Sequence, residues 1–242
     1  MKVPQLQSFG NNIFDKPFLS TSKSGLFALI QAAKELDQEL ANWTSSMPTD
    51  WLYSAAKTAN SMAVPEFLTS WYIPDEIHKY PDFYIARVWN LYRVSRIIVQ
   101  SVLFRALSHT NNSEEQPQEI HVKNIIGSLV SDICASVPFL LSYDLSQLKI
   151  PLISIAPEVD AGIWPQYSAS IKTESEHTGR FSLIWPLYLS CSVPSIPEIQ
   201  RHWMRAQLEW IAECGEPQAA LLLGMESQTL YGRPEGFRFD CV

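Results

Sequence analysis

Apolar residues recur at a helical spacing over most of the chain. Between residues 21 and 45 they fall three or four positions apart, and charged residues occupy the other side. This pattern predicts an amphipathic helix, which Pro48 would end because a residue before proline avoids the helical region. A four-residue repeat over 120–137 predicts another helix, and shorter patterns over 195–215 and 217–232 predict two more.

The segment from about 82 to 107 differs from these, because it is apolar on two opposite sides. A helix of this kind normally lies at the centre of its domain. It also carries Arg87, Asn90, Arg93 and Arg96 where a plain core helix would carry apolar residues. We therefore expect this helix to organise the fold and any site that the fold contains.

These patterns predict an all-α fold, a single multi-helix domain over 20–232 built around a buried central helix. Residues 1–19 and 233–242 show no helical period and are predicted to be tails. Residues 138–180 contain four prolines and two glycines and are expected to form a long irregular excursion. The aromatic-rich stretch 48–81 is expected to cover apolar surface without regular structure of its own, and a short helix over 51–62 is left open.

Composition and charge argue against some classes of function. Hydrophobic residues make up 46% of the 242 residues, enough for a large core. The net charge of −7 repels phosphate, so we expect no direct contact with nucleic acid. The longest apolar run, Leu183–Leu189, is far shorter than the ~20 residues of a membrane span, so we expect no membrane contact and a nuclear or cytoplasmic location.

Motifs of common enzyme classes are absent. The sequence has no glycine-rich phosphate loop and no nucleophile elbow. Its five histidines are isolated, and its four cysteines form no C-x-x-C pair. Metal ligands on a helix need close spacing, so we predict no metal site, no cofactor and no catalytic residue.

Arg96 falls within one apolar stripe of the central helix and Arg87 within the opposite one, and a buried guanidinium needs a partner. Asp132 is the predicted partner, since it is the only acid in the middle of the following helix. One interpretation is an ion pair that fixes helix register. The other is a polar anchor in an aromatic-lined pocket for a small anionic or oxygenated ligand. The candidate ligand-binding residues are Trp89, Asn90, Tyr92, Arg93, Arg96, Asp132 and Trp185.

Four groups of segments carry a family resemblance. They are Tyr80–Phe83 with Ala86–Arg93 and Arg96-Ile97; Ser131–Phe139; Leu183–Tyr188; and Trp210-Ile211 with Gln218-Ala219 and Leu221. In this order they resemble the C-terminal regulatory region of fungal binuclear zinc-cluster transcription factors. The resemblance covers roughly residues 26–230.

The resemblance implies an all-α regulatory domain, a nuclear location and control of secondary-metabolite or nutrient genes. It also implies protein partners, either the transcription machinery or a full-length factor, and a small-molecule effector. Two departures stand beside it. The family's six-cysteine cluster, which binds two zinc ions and DNA, is missing, and Thr178-Gly179-Arg180 stands where small residues or glycines are expected. We expect either a fragment of a longer factor or a stand-alone descendant.

Two other functions stay open. The fold could have been recruited as a metal-independent cyclase or isomerase in natural-product biosynthesis, with Arg96, Tyr92 and an acid such as Asp82 or Asp132 transferring protons. Alternatively, the chain could be a binding partner that titrates a full-length factor.

Overall fold

The computed structural model describes residues 2–14, 23–57, 72, 74–110, 116–142 and 174–229. These residues form seven α-helices and one two-stranded sheet, which confirms the all-α fold. In chain order the elements are α1 (Val3–Phe14), α2 (Lys23–Ser45), β1 (Ser54–Lys57), β2 (Glu76–Lys79), α3 (Phe83–Thr110), α4 (Gln116–Leu140), α5 (Glu174–Cys191), α6 (Glu198–Glu213) and α7 (Pro217–Thr229).

The predicted central helix is α3, and its position at the centre is confirmed. Every residue from 97 to 103 is buried, so neighbours surround this part of the helix on all sides. The helices α1, α2, α4 and α5 all pack on it. Asp82 caps its start, because the carboxylate Oδ1 accepts a hydrogen bond of 2.7 Å from the backbone N–H of Ile85.

Residues 3–14 form a helix, so the prediction of an irregular tail was wrong for this part of 1–19. Leu6 and Ile13 are buried, and Pro4 lies in the first turn, where its missing N–H would have no helical partner. Gly10 is also buried, and it lies beside Val102 of α3. Two prolines and Gly10 within 1–19 obscured the helical period.

The strands β1 and β2 pair in antiparallel fashion, with Ser54 opposite Lys79 and Lys57 opposite Glu76. The expectation that 48–81 lacks regular structure was therefore wrong for these eight positions. A single 3-10 turn, Thr49–Trp51, precedes β1. Most of the chain between the strands lies outside the described residues. The pairing matters because it carries His78 into the core, where its exposed fraction is 1%.

The predicted irregular excursion at 138–180 is helical at both of its ends. The helix α4 continues through Pro138 to Leu140, and α5 already begins at Glu174 and runs through Pro186. Pro138 lies in the last turn of α4, so only two helical residues follow the point where its missing N–H removes a hydrogen bond. Residues 143–173 lie outside the described part of the chain.

Gly179 marks the closest approach between α4 and α5. A Cβ at this position would collide with the backbone carbonyl oxygen of Leu140. Only glycine lets the two backbones meet in this way. Thr178 and Arg180 on either side are larger than the residues expected there, but Gly179 is the small residue that this packing needs.

One helix of the described residues, α4, is long and apolar enough to cross a membrane by length and composition. Half of its most apolar window is buried inside the protein, and it packs against α3 and α5. That burial is typical of a core helix. The predicted domain limit at residue 232 lies outside the described residues and stays a prediction.

Candidate functional site: a buried arginine cluster

Arg93 lies at the centre of the most enclosed polar group, with an exposed fraction of 1%. Its Nη1 donates hydrogen bonds to the Tyr80 hydroxyl (2.7 Å) and to Asn90 Oδ1 (2.8 Å). Its Nη2 donates to Nδ1 of His78 at 3.3 Å. Its Nε lies 3.7 Å from Oδ2 of Asp132, an ion-pair distance. Each guanidinium nitrogen therefore has a partner within the protein.

Aromatic rings enclose the same guanidinium. Its Cζ lies 5.1 Å from the ring centre of Tyr53, 5.7 Å from that of Trp89 and 5.8 Å from that of Tyr80. These distances are those of cation–π contacts. The rings also touch one another, since the ring centre of Tyr53 lies 4.3 Å from that of His78 and 5.0 Å from that of Trp89. The space around Arg93 is thus occupied by the protein's own side chains.

Three elements build this cluster. Strand β2 brings in His78, and Tyr80 follows directly after it. Helix α3 supplies Trp89, Asn90 and Arg93, whose spacing of three and four residues places them on one face. Helix α4 adds Asp132 and Ser136. The amide nitrogen of Asn90 donates to the Ser136 hydroxyl at 2.9 Å, and that hydroxyl donates to the carbonyl oxygen of Ile133 at 2.7 Å.

Burial sets the protonation of the cluster. Burial first, and then the charge of Arg93, lowers the pKa of His78 to about 3. The imidazole is therefore neutral at pH 7, and because Nδ1 accepts a hydrogen bond from Arg93, its proton is on Nε2. Burial raises the pKa of Tyr80 to about 12, against the opposing charge of Arg93.

Arg93 and Asp132 are the paired charges of the cluster, and Glu76 adds a second carboxylate whose Oε2 lies 4.0 Å from Nε2 of His78. Burial raises the pKa of Asp132, while Arg93 opposes that rise. For Arg93, burial acts to lower the pKa, but Tyr80 and Asp132 outweigh it, so the pKa lies above its ordinary value. The Asp132 side chain keeps an exposed fraction of 35%, which leaves one side of its carboxylate open to solvent.

Arg96 has a different partner from the predicted one. Its Nε and Nη2 donate to the two carboxylate oxygens of Asp37 at 2.7 and 3.0 Å, and its Nη1 donates to the Tyr92 hydroxyl at 3.0 Å. The predicted pair with Asp132 was wrong, because Asp132 faces Arg93. Residues three positions apart on a helix point about 60° apart, so the two arginines reach different neighbours, α2 and α4.

The candidate residues fall into three places. Trp89, Asn90, Arg93 and Asp132 come together around the buried guanidinium. Tyr92 and Arg96 form the second group with Asp37, and Trp43 stacks on Tyr92 with ring centres 5.2 Å apart. Trp185 lies half-buried on α5 with its ring 5.9 Å from that of Tyr188. Their role in ligand binding stays a prediction.

Sequence reasoning missed His78, Tyr53, Ser136 and Asp37 as members of these groups. His78 and Tyr80 are two residues apart, which is the spacing that places side chains on one face of a strand. That signal could have been found once a strand was considered. Asp37 sits among charged residues of α2 and gave no comparable signal.

The described residues contain no group of three His, Cys, Asp or Glu side chains that could hold a metal ion. Cys134 and Cys191 are buried thiols, and burial raises the pKa of Cys134 to about 12. Of the acids considered for proton transfer, Asp82 caps α3 and Asp132 faces Arg93.

A curated relative gives the chain a functional context. The chain is 26% identical over 244 residues to the protein described as Transcription factor dbaG of Emericella nidulans, a match that covers 100% of this chain and 52% of the relative. The chain therefore spans about half the length of the relative that it matches. No family model and no solved structure matches the chain. The distant similarity supports a transcription-factor-like relationship.

Proposed function

We propose that the chain is the regulatory or effector domain of a fungal zinc-cluster-type transcription factor, or a stand-alone protein of that type. It acts in the nucleus or cytoplasm through contacts with other proteins, in the control of secondary-metabolite or nutrient genes. The observation that carries the proposal is the similarity to Transcription factor dbaG over 100% of this chain.

The charge of the chain fits a role through protein contacts. A net charge of −7 disfavours approach to DNA, so another module or partner would supply the DNA contact. The described residues also offer a well-packed α-helical scaffold for such contacts.

The arginine cluster fits a structural role within that scaffold. The nitrogens of Arg93 contact His78 of β2, Tyr80 directly after β2, Asn90 of α3 and Asp132 of α4. The cluster therefore holds the strand pair in a fixed position on two core helices. In this proposal it keeps the regulatory surface in one conformation.

A tethering experiment tests the proposal. The chain is fused to an unrelated DNA-binding domain and expressed in a fungal host with a reporter gene behind the matching DNA site. We expect the fusion to raise or lower reporter output relative to the DNA-binding domain alone. A reporter level equal to that of the DNA-binding domain alone, at matched protein abundance, would contradict the proposal.

Two variants make the comparison specific. Ile133→Asp places a carboxylate at a position with an exposed fraction of 0% and should abolish the effect through unfolding. Gly127→Ala, on the same helix, introduces a Cβ that meets no atom within 4 Å and should keep it. An effect that survives Ile133→Asp would not come from the folded domain.

A further inference from the structure

One face of the first half of α3 is exposed and largely apolar. The exposed fractions are 63% for Tyr84 and 49% for Leu91, and exposed Arg87 lies between them. Positions separated by three and four residues lie within about 60° of one another around the helix axis. The three side chains therefore form a single stripe, which is named here the Arg87 face.

The apolar surface continues beyond α3. The rings of Trp51 and Tyr84 meet edge to face with centres 6.0 Å apart. Leu52, the next residue, has an exposed fraction of 47%. Exposed apolar residues that occur singly need no explanation, but contiguous ones mark interaction surfaces. Tyr84 and Leu91 lie on one stripe of α3, and the contact between Trp51 and Tyr84 extends that stripe toward Leu52, so these residues belong to the second kind.

Arg87 differs from the other arginines of α3. Arg93 faces Asp132, and Arg96 pairs with Asp37. The Cζ atom of Arg105 lies 4.0 Å from the ring centre of Phe14. The helix offers Arg87 no carboxylate, because the residues three and four positions away are Phe83, Tyr84, Asn90 and Leu91. Within the part of the chain that the structure describes, no ion pair involves Arg87.

The nearest acids in sequence do not supply its partner. The carboxylate of Asp82 accepts a hydrogen bond from the backbone N–H of Ile85, and Asp50 is an exposed residue that precedes Trp51. A guanidinium flanked by apolar side chains is complementary to a carboxylate that is itself flanked by apolar side chains.

We propose that the Arg87 face binds an amphipathic helix of another protein in which a carboxylate lies between two large apolar residues. This inference rests on the proposed function and names the kind of partner through which it operates. Helices that dock on a protein surface use anchors at i, i+3 or i+4 and i+7, the same spacing as Tyr84, Arg87 and Leu91.

A second copy of the chain fits this surface less well. In a two-fold interface the same patch meets itself. Arg87 lies near the middle of the stripe, so packing the face on itself would place two guanidinium groups of like charge near the axis. Charge complementarity therefore favours a partner with the opposite charge at that point.

A displayed peptide library tests the proposal. The probe is a 16-residue helix of alanine, glutamine and lysine in which three positions, at i, i+3 and i+7, are randomised. The full chain selects binders from it, and so does the variant Arg87→Glu. We expect Asp or Glu at the middle position and large apolar residues at the outer two with the wild type, and Lys or Arg at the middle position with Arg87→Glu.

Single variants then measure the contributions. Leu91→Asp should weaken the selected peptide about tenfold or more, and Arg87→Glu about tenfold, since both place a carboxylate against the peptide. The matched control is Ile120→Asp on α4, an aliphatic residue with an exposed fraction of 59%. Ser136 lies beside Asn90 and Asp132 beside Arg93, so α4 runs antiparallel to α3 and Ile120 lies beside the last turns of α3. That is roughly 20 Å along the helix axis from Leu91, so peptide affinity should not change.

Each outcome decides the proposal. Peptides without a middle acid, or the same acid selected by Arg87→Glu, would overturn it. Sedimentation that shows a dimer lost in Leu91→Asp would overturn it in favour of a second copy. If the wild-type fusion changes reporter output and Leu91→Asp leaves that change unaffected, the Arg87 face is overturned and the proposed function stands. If the wild-type fusion is inactive but the library still selects an acid with the wild type and a base with Arg87→Glu, the proposed function is overturned and the Arg87 face stands.

Discussion

Arg96 of α3 and Asp37 of α2 meet through two hydrogen bonds, from Nε to Oδ1 at 2.7 Å and from Nη2 to Oδ2 at 3.0 Å. The side chains keep exposed fractions of only 16% and 17%. This two-point contact joins helices that are far apart in sequence and fixes how they lie on one another.

Replacing Asp37 with Asn should lower the free energy of unfolding by about 1–3 kcal/mol, because a half-buried guanidinium then loses its countercharge. Urea unfolding at pH 7, followed by circular dichroism, measures the change. The control is Asp50→Asn, an exposed aspartate in the 3-10 turn, for which a change within about 0.5 kcal/mol is expected. Equal effects of the two substitutions would show that the ion pair does not stabilise the fold.

Replacing Arg93 with Met should destabilise the protein more strongly, by about 3–5 kcal/mol, because Tyr80, Asn90 and Asp132 lose a buried partner together. Arg87→Met is a matched control on the same helix, and its exposed side chain predicts a change within about 0.5 kcal/mol. Both are measured by the same urea titration. An Arg93→Met protein as stable as Arg87→Met would contradict the structural role of the cluster.

Lowering the pH from 6.5 to 5 should destabilise the protein through His78. Its pKa is lowered to about 3 in the folded state, whereas an unfolded histidine titrates near 6.5. Between these values the unfolded state binds more protons, so the free energy of unfolding rises with pH by up to about 1.4 kcal/mol per unit. This stability is fully present above pH 6.5 and declines as the pH falls below it.

The variant His78→Gln isolates that contribution, since glutamine can accept a hydrogen bond from Arg93 but does not titrate. Urea unfolding at half-unit steps from pH 5 to 7 should show a shallower slope for the variant, by about one proton. Burial raises the pKa of Asp132, so its contribution to the free energy of unfolding falls as the pH rises above the ordinary pKa of an aspartate. Both proteins contain Asp132, so this contribution does not change the difference between their slopes. Equal slopes would mean that His78 is not held neutral.

Gly179→Ala should destabilise the protein severely or prevent folding, because the new Cβ would collide with the carbonyl oxygen of Leu140. Gly127→Ala is the matched control, a helical glycine around whose added Cβ no atom lies within 4 Å. It should raise the free energy of unfolding by about 0.5–1 kcal/mol, since alanine favours the helix. Thermal unfolding of the two variants side by side makes the test, and a tolerated Gly179→Ala would contradict the contact.

The long helices could be predicted from the sequence because their evidence is local. A period of 3.6 residues repeated over six or seven turns locates α2, α3 and α4 without knowledge of their neighbours. The short elements lacked that repetition. Residues 1–19 contain two prolines and Gly10, and four-residue strands offer few repeats, so the helix at Val3–Phe14 and the strand pair went undetected.

The polar groups could be predicted only in part. The helical wheel identifies Arg96 as a side chain that needs a partner, since it gives its angle on α3. The wheel also places Arg87 within an apolar stripe, which was wrong because that side chain is exposed. It does not say which helix lies on which side, and this decides between Asp132 and Asp37. The membership of His78 depended on a strand pair that brings distant segments together, and tertiary packing of this kind leaves no local pattern.

The contact between Leu140 and Gly179 has a consequence for how the gene can change. It places the last turn of α4 against the second turn of α5, backbone to backbone. Every residue other than glycine would collide there, because each of them carries a Cβ. Of the codon changes that replace Gly179, none is therefore compatible with the present spacing of the two helices.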